Sequence, residues 1–432
     1  MFPRQVTFFR LSLCGEFVVD ILGAGMGRAK DLQIEQWEQG WSFSPGVYIC
    51  HHCIDDPELA QHVEENATEY KCDFCDRVAR KRPMSIEFDS LMEIIGSTLT
   101  QYFDRAVNEL GFCSAEGGYL GTTYASYHII HGHSPFCEIS ENDRVLSAIT
   151  ESLSDEEWCD KSPYSTIGFD AYKSSWDQFC EAVKHHTRYF FTQPNSRDED
   201  SDLTPVSKML GELSSHLERE ELIESVDQSA KFVRIRAHKR EEKCSDWKSL
   251  GSPPPNVAPS NRMSPAGISM FYCSETIETA KAEARSTIRD EASTALTAAT
   301  WSPSRSLLLL NLCDMRETPS FWFSHRSGRD RVLFLKAFAE SISQPVTHDG
   351  REHIDYVPSQ IVTEYFRHVY RTDEGKQLDG IIFPSARVPK GKNFVIFASS
   401  DDLRPVAEKE FGNTPPILTL DSSSIKRLRI RR

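Results

Sequence analysis

The chain has 432 residues, 39% hydrophobic and 26% charged, with a formal net charge of −15. That length exceeds a comfortable single core and the composition is ordinary for globular protein, which excludes a disordered chain or a fibre and implies two or three domains. The acidic balance opposes non-specific nucleic-acid binding, which needs basic surface to neutralise phosphates, and no run of roughly eighteen apolar residues is present to cross a membrane.

Residues 1–39 read as an N-terminal extension without function. Their Phe and Leu are interrupted by Arg4, Arg10, Glu16 and Asp20, so no signal-peptide core forms and a cytoplasmic location is expected. A polar helical segment begins near Met26, and what precedes it is either a loose extension or an upstream start of translation.

Residues 40–83 carry Cys50-His-His-Cys53 and Cys72-Asp-Phe-Cys75. Each C-x2-C turn points two thiolates at one spot, and two such turns brought together make a tetrahedral zinc site. His51 or His52 is an alternative ligand, although Cys50, Cys53, Cys72 and Cys75 form the simpler set. Four thiolates leave no open position, so a structural, zinc-ribbon-like role is expected, in a segment too poor in apolar residues to stay folded alone. The other eight cysteines show no repeated spacing and read as small reduced hydrophobes.

Residues 84–226 read as a mainly α-helical domain. Leu91, Ile94, Ile95, Leu99, Tyr102 and Phe103 recur at helical spacing, and Trp176, Phe179, Cys180 and Val183 repeat the pattern in a second helix running towards Phe191. The stretch between them holds Gly117-Gly118 and His128, His131 and His133, read as packed among aromatics and not as ligands. An acidic connector, Asn195 to Asp202, leads to a charged helix from Val206 to Val226.

Residues 227–432 change to α+β patterning. Phe232–Arg236, Leu307–Leu312, Leu378–Phe383 and Phe394–Phe397 read as strands, and Pro358 opens a helix with Ile361, Tyr365 and Val369 on one face. The terminal Lys426–Arg432 alternates like a solvated edge strand, in preference to a nucleic-acid tail. No G-x-G-x-x-G turn supports a Rossmann domain.

Phe232-Val-Arg234, Asn261-Arg-Met-Ser-Pro-Ala-Gly-Ile268, Met270-Phe-Tyr272, Thr279-Ala280 with Glu283, and Asp379-Gly-Ile-Ile-Phe-Pro-Ser385 follow in an order that resembles the RES domain family. The family's arginine, glutamate and serine fall on Arg234 or Arg262, on Glu283 and on Ser385. The resemblance implies an ADP-ribosyltransferase-like mixed-sheet fold and a toxin that depletes NAD by breaking its nicotinamide-ribose bond, often restrained by a partner antitoxin. Met263 and Ser264 stand where many members carry an aromatic residue and an asparagine. The preceding helical region resembles the HEPN type found ahead of some RES domains. It lacks the arginine and histidine pair of HEPN nucleases, so binding or oligomerisation is the role expected of it.

The residue chemistry suits those roles. Guanidinium forks at Arg234 and Arg262, and less so at Arg236, match pyrophosphate oxygens; a Tyr272 ring can face cationic nicotinamide. Glu283 is the carboxylate for an oxocarbenium-like transition state, and Ser385 orients the ribose or the nicotinamide. Nicotinamide leaves neutral, so no general acid is required. Outside this ordered set each residue has a plainer reading: Glu283 as solvated helix, Tyr272 as core, Arg234 and Arg236 as surface pairs, Ser385 as turn. Two alternatives stand beside NAD hydrolysis or phosphorolysis: ADP-ribosyl transfer to a protein or nucleic acid, and a non-catalytic zinc-dependent scaffold. The acceptor, the antitoxin and any homo-oligomer are left open.

Overall fold

The computed structural model describes residues 40–42, 44–153, 156–193, 202–286, 288, 294–344, 351–408 and 414–428. The extension 1–39 and most of the acidic connector lie outside them. The chain divides into two compact units, Met1–Lys161 and Ser162–Arg432. This division differs from limits at 83/84 and 226/227, because the second amphipathic helix packs with the C-terminal residues.

In the first unit, Tyr48–Cys50 pairs antiparallel with Ser85–Glu87, and helix Pro57–Glu65 follows the first cysteine turn. Asp56 caps that helix by accepting from the Glu58 and Leu59 amides at 3.0 and 2.9 Å, and Pro57 sits where no amide donor is needed. Helix Phe88–Tyr102 buries Phe88, Leu91, Met92, Ile95 and Leu99, as its spacing predicts. Its Gly96 lies under the Trp41 ring, where an added Cβ would stand 2.3 Å from a ring carbon. Phe103 leaves the helix for strand Phe103–Arg105, which joins Glu157–Asp160 and Tyr124–Ala125 in a three-stranded sheet. The region is therefore less helical than its sequence suggests. His128 and His131 lie on helix Ser126–Gly132, where His131 stacks on Tyr127 at 4.2 Å, whereas His128 is exposed.

The second unit is built on an eight-stranded mixed sheet: β1 (Ile223–Val226), β2 (Phe232–Lys239), β3 (Phe271–Ser274), β4 (Thr294–Pro303), β5 (Leu307–Asn311), β6 (Gly380–Pro384), β7 (Lys392–Ile396) and β8 (Leu418–Leu428), in spatial order β8-β4-β2-β3-β7-β6-β5-β1. Among the described residues only β5 and β6 pair in parallel. Alternation sends Leu310, Ile381 and Val395 to one face and Leu309, Ile382 and Phe394 to the other, and both faces bury their rows. Among the described residues this unit has five longer helices: α1 (Gly168–Glu181), α2 (Met209–Arg219), α3 (Ile277–Ser286), α4 (Arg326–Ser343) and α5 (Val357–His368). Trp176 and Phe179 of α1, Leu213 of α2, Phe334 and Phe338 of α4 and Phe366 of α5 cover the Leu310 face.

Several boundaries move from their sequence positions. The α1 helix continues only through a π-helical turn at Ala182–His186 and stops short of Phe191. The charged segment after Val206 splits into α2 and strand β1, because Ile223–Val226 pairs with Leu307–Leu310. In α5 Val357, Val362 and Phe366 are among the buried positions, with Ile361 and Tyr365 partly buried, while Val369 is 65% exposed beyond the helix end. The basic C-terminal segment joins edge strand β8 as far as Leu428.

Asp379, within the family string, has a structural task. Its carboxylate receives a two-pronged grip from Arg305, at 2.6 and 2.8 Å, and accepts the Leu308 amide at 3.0 Å, which locks β5 to β6.

Candidate functional site

Two sites stand out, one in each unit. In the first, the Cys50, Cys53, Cys72 and Cys75 sulfurs all lie within 4.8 Å of one another. Cys50 is 3.8 Å from Cys53 and 3.6 Å from Cys75, and Cys53 is 3.8 Å from Cys72. Sulfurs at about 2.3 Å around a tetrahedral ion are separated by about 3.8 Å, so the spacing is that of a metal centre. Electrostatics agree with the geometry. The bond from Cys50 and nearby backbone amides hold the Cys72 thiol well down, whereas that same bond, burial and neighbouring sulfurs push Cys50 up. Three buried cysteines and a half-buried fourth at this spacing suit a cation held among them, and the donor set fits one. The rings of His51 and His52 lie 4.0 Å apart, tilted against each other, and the gathered cluster does not include them.

The second site gathers where α3 meets the β6–β7 turn. Glu283 on α3 accepts from Ser385 Oγ at 2.6 Å and Asn393 Nδ2 at 2.8 Å, both on Oε1. Ser385, just past β6, is fixed in turn because its Oγ accepts the Arg387 and Val388 amides, each at 3.2 Å. Buried Asn393 on β7 is oriented by Ser274 of β3, whose hydroxyl donates to Oδ1 at 2.7 Å. The carboxylate is thus held from two sides before any ligand arrives.

Tyr272 projects from β3 on the same sheet face as Ser274, one cross-strand row away from Asn393. Its hydroxyl meets Ser264 at 2.8 Å, and burial pushes its phenol pKa up, keeping it a neutral donor. Arg262 lies close enough to feel the charges of Glu283, Arg387 and Tyr272. Its Nη1 is pinned by the Ile342 and Gln344 carbonyls at the end of α4, and its guanidinium lies 5.7 Å from the Tyr356 ring centre. Met263, next in sequence, is wholly buried in the core.

Arg234 and Arg236 are placed differently. Arg234 approaches β3 from the Phe271 side, 5.0 Å from that ring's centre, and its Nη1 donates to the Tyr272 carbonyl at 2.6 Å. Burial lowers its pKa to about 10, still a cation at neutral pH. Arg236 donates to the Ser249 carbonyl and is exposed. Glu283, Ser385, Tyr272 and Arg262 therefore converge, Arg234 backs the strand that carries Tyr272, and Arg236 points elsewhere. Sequence reasoning missed Asn393 and Ser274, because a strand asparagine and serine carry no signal until the register sets them opposite each other.

A cleft of about 700 Å³ opens beside this cluster, with Leu312, Met315 and Pro384 in its wall and Ser385, Lys392 and Gln344 also lining it. An acidic group held by two donors, one of which, Ser385, also lines the cleft, and within electrostatic reach of a guanidinium, is suited to steady a cationic sugar carbon.

Comparison with known families agrees with both halves. Residues 65–197 match the family described as HEPN/RES N-terminal domain 1, and residues 231–417 match the RES domain. The chain therefore carries a RES domain behind a HEPN/RES N-terminal region. No curated protein and no solved structure matches it. No helix among the described residues is long and apolar enough to cross a membrane.

Proposed function

We propose that the second unit consumes NAD by cleaving the bond between nicotinamide and ribose, with water or phosphate as acceptor. The observation that carries this reading is the Glu283 carboxylate, bonded to Ser385 and Asn393 at 2.6 and 2.8 Å and within electrostatic reach of Arg262. As the bond lengthens, positive charge grows on the ribose and Glu283 offsets it; the nicotinamide departs neutral and needs no proton. Arg262 is the phosphate clamp, and Tyr272, buttressed by Arg234, faces the nicotinamide end. Ser385 orients the sugar and shares its hydroxyl with the carboxylate. In the first unit the four cysteines hold Zn²⁺ in a structural role: the ion supplies a fixed cross-link between the two cysteine turns. A toxin whose activity is restrained by a partner protein, in the cytoplasm, is the setting this reading implies.

The test is nicotinamide release from NAD by the purified full chain. Wild type is expected to release it, and Glu283→Gln, which keeps size and hydrogen bonding but removes the charge, is expected to lose roughly 10³-fold in kcat at unchanged melting temperature. Intact NAD after incubation with wild type, with and without phosphate, sinks the proposal. Adenylate-labelled NAD separates cleavage from ADP-ribosyl transfer, since transfer leaves label on a macromolecule.

A further inference from the structure

Two hollows share Gln344, whose carbonyl Arg262 grips: the cleft that runs to Ser385 and a second cavity of about 330 Å³, which Arg262 itself lines. That second cavity is formed by Arg262 and Tyr356 together with Trp176, Cys180 and Lys184. The last three come from α1 and the π-helical turn behind it, within the stretch matched to the HEPN/RES N-terminal domain, yet they pack in the same compact unit as the RES residues. A π turn re-aims the side chains of a helix and is often kept where a side chain has a task.

We infer that Lys184 is a substrate-binding residue contributed by the N-terminal region, and that the cavity it shares with Arg262 and Tyr356 receives the adenylate half of the dinucleotide. The inference rests on the reading of the adjoining cleft as an NAD site. Among the described residues the Arg262 Nη1 atom is engaged by two carbonyls, while its Nε and Nη2 edge makes no hydrogen bond, leaving the two-pronged face that takes a pair of phosphate oxygens. Lys184 adds a second cation with a mobile donor, held at 3.4 Å from Asp355, a spacing loose enough to yield to a phosphate. The two cations outnumber the one carboxylate in the cavity, so its balance favours an anion. The Tyr356 ring beneath Arg262 offers a purine an aromatic neighbour, and Ser341, Gln344 and Ser359 in the same lining offer it hydrogen bonds. Glu283, Arg262 and Lys184 then follow the substrate's own order of ribose, pyrophosphate and adenylate.

The experiment uses the full chain, with nicotinamide release measured from NAD and from nicotinamide mononucleotide, which lacks the adenylate. Lys184→Ala is expected to raise the KM for NAD roughly tenfold or more with kcat little changed, and to leave the mononucleotide's KM alone. Lys184→Arg is expected to recover most of the loss. Asp355→Asn, which removes the competing carboxylate, is expected to hold or lower the KM for NAD. An NAD KM that is the same in wild type and Lys184→Ala overturns the inference while leaving NAD cleavage intact. So does equal damage from Lys184→Ala and Asp355→Asn on both substrates, the mark of a merely structural ion pair. A wild type that neither binds nor cleaves NAD removes the functional reading and this inference together.

Discussion

The cysteine cluster and the glutamate cluster are organised in opposite ways. The first is written in two short turns, Cys50 to Cys53 and Cys72 to Cys75, each of which presets its own pair of sulfurs. The second draws Glu283 from a helix, Ser385 from a turn, and Asn393 and Ser274 from neighbouring strands, spread over more than a hundred residues. A site made of local turns asks the fold only to bring two pieces together, and a bound ion can supply that force itself. A site made of distant residues exists only once the sheet has set its register, so its geometry is inherited from the core.

The largest effect that tests this contrast is loss of metal. Zinc-stabilised small units gain on the order of 10 kcal/mol from the ion. Cys72→Ser, or chelation of the full chain, is therefore expected to unfold the first unit, seen as loss of one thermal transition while a second persists. Metal analysis should find about one ion per chain in wild type and none in the variant. Two transitions that vanish together would show that the units do not stand apart in stability.

Asn393 gives the intermediate effect. Asn393→Ala removes the Nδ2 donor to Glu283 and leaves the Ser274 hydroxyl buried without its acceptor. A lost bond to a charged group costs about 1.5–3 kcal/mol, and an orphaned hydroxyl about 1–3 kcal/mol. The expected outcome is a fall in kcat of about tenfold to a hundredfold together with a lower melting temperature. Glu283→Gln separates from it by losing more rate and no stability. Should Asn393→Ala lose stability at full rate, the bond to Glu283 serves only the core.

The sequence made the two sites legible to different depths. The cysteine cluster was complete in its spacing, and the structure gathers all four of its sulfurs. For the other site, Glu283, Ser385, Tyr272 and Arg262 were legible only through the order of the family strings, and Arg234, equally prominent there, packs against Phe271 and the Tyr272 carbonyl. Which face of β2 meets which face of β3 depends on pairing between Val233 and Ser274, a long-range fact that periodicity does not carry. The same limit explains β1: Ile223–Val226 reads as the tail of a helix until Leu307–Leu310 offers it an edge. Likewise α1 looked like part of a separate helical domain because its apolar stripe says that it is buried, not against what.

The smallest effect concerns acid, which threatens the two units for different reasons. In the first, protons would compete with the proposed ion for the cysteine sulfurs. In the second, His216 on α2 is 2% exposed, and neither ring nitrogen makes a hydrogen bond among the described residues. The Tyr172 ring lies at 4.6 Å and Phe334 at 5.8 Å, and Glu212 comes no closer than 3.6 Å. Burial lowers the His216 pKa below its ordinary 6.5, with Glu212 opposing and Arg331 and Arg219 assisting. Below pH 6.5 the unfolded chain therefore takes up a proton that the folded core refuses, so this contribution to stability is present above that value and is lost as pH falls. His216→Phe removes the titration and keeps an aromatic ring against Tyr172 and Phe334. Between pH 7.5 and 5.5 the second unit of that variant is expected to lose about 1 kcal/mol less stability than wild type. Parallel melting curves for the two proteins across that range would mean that the histidine is protonated, and paired with Glu212, in the folded state.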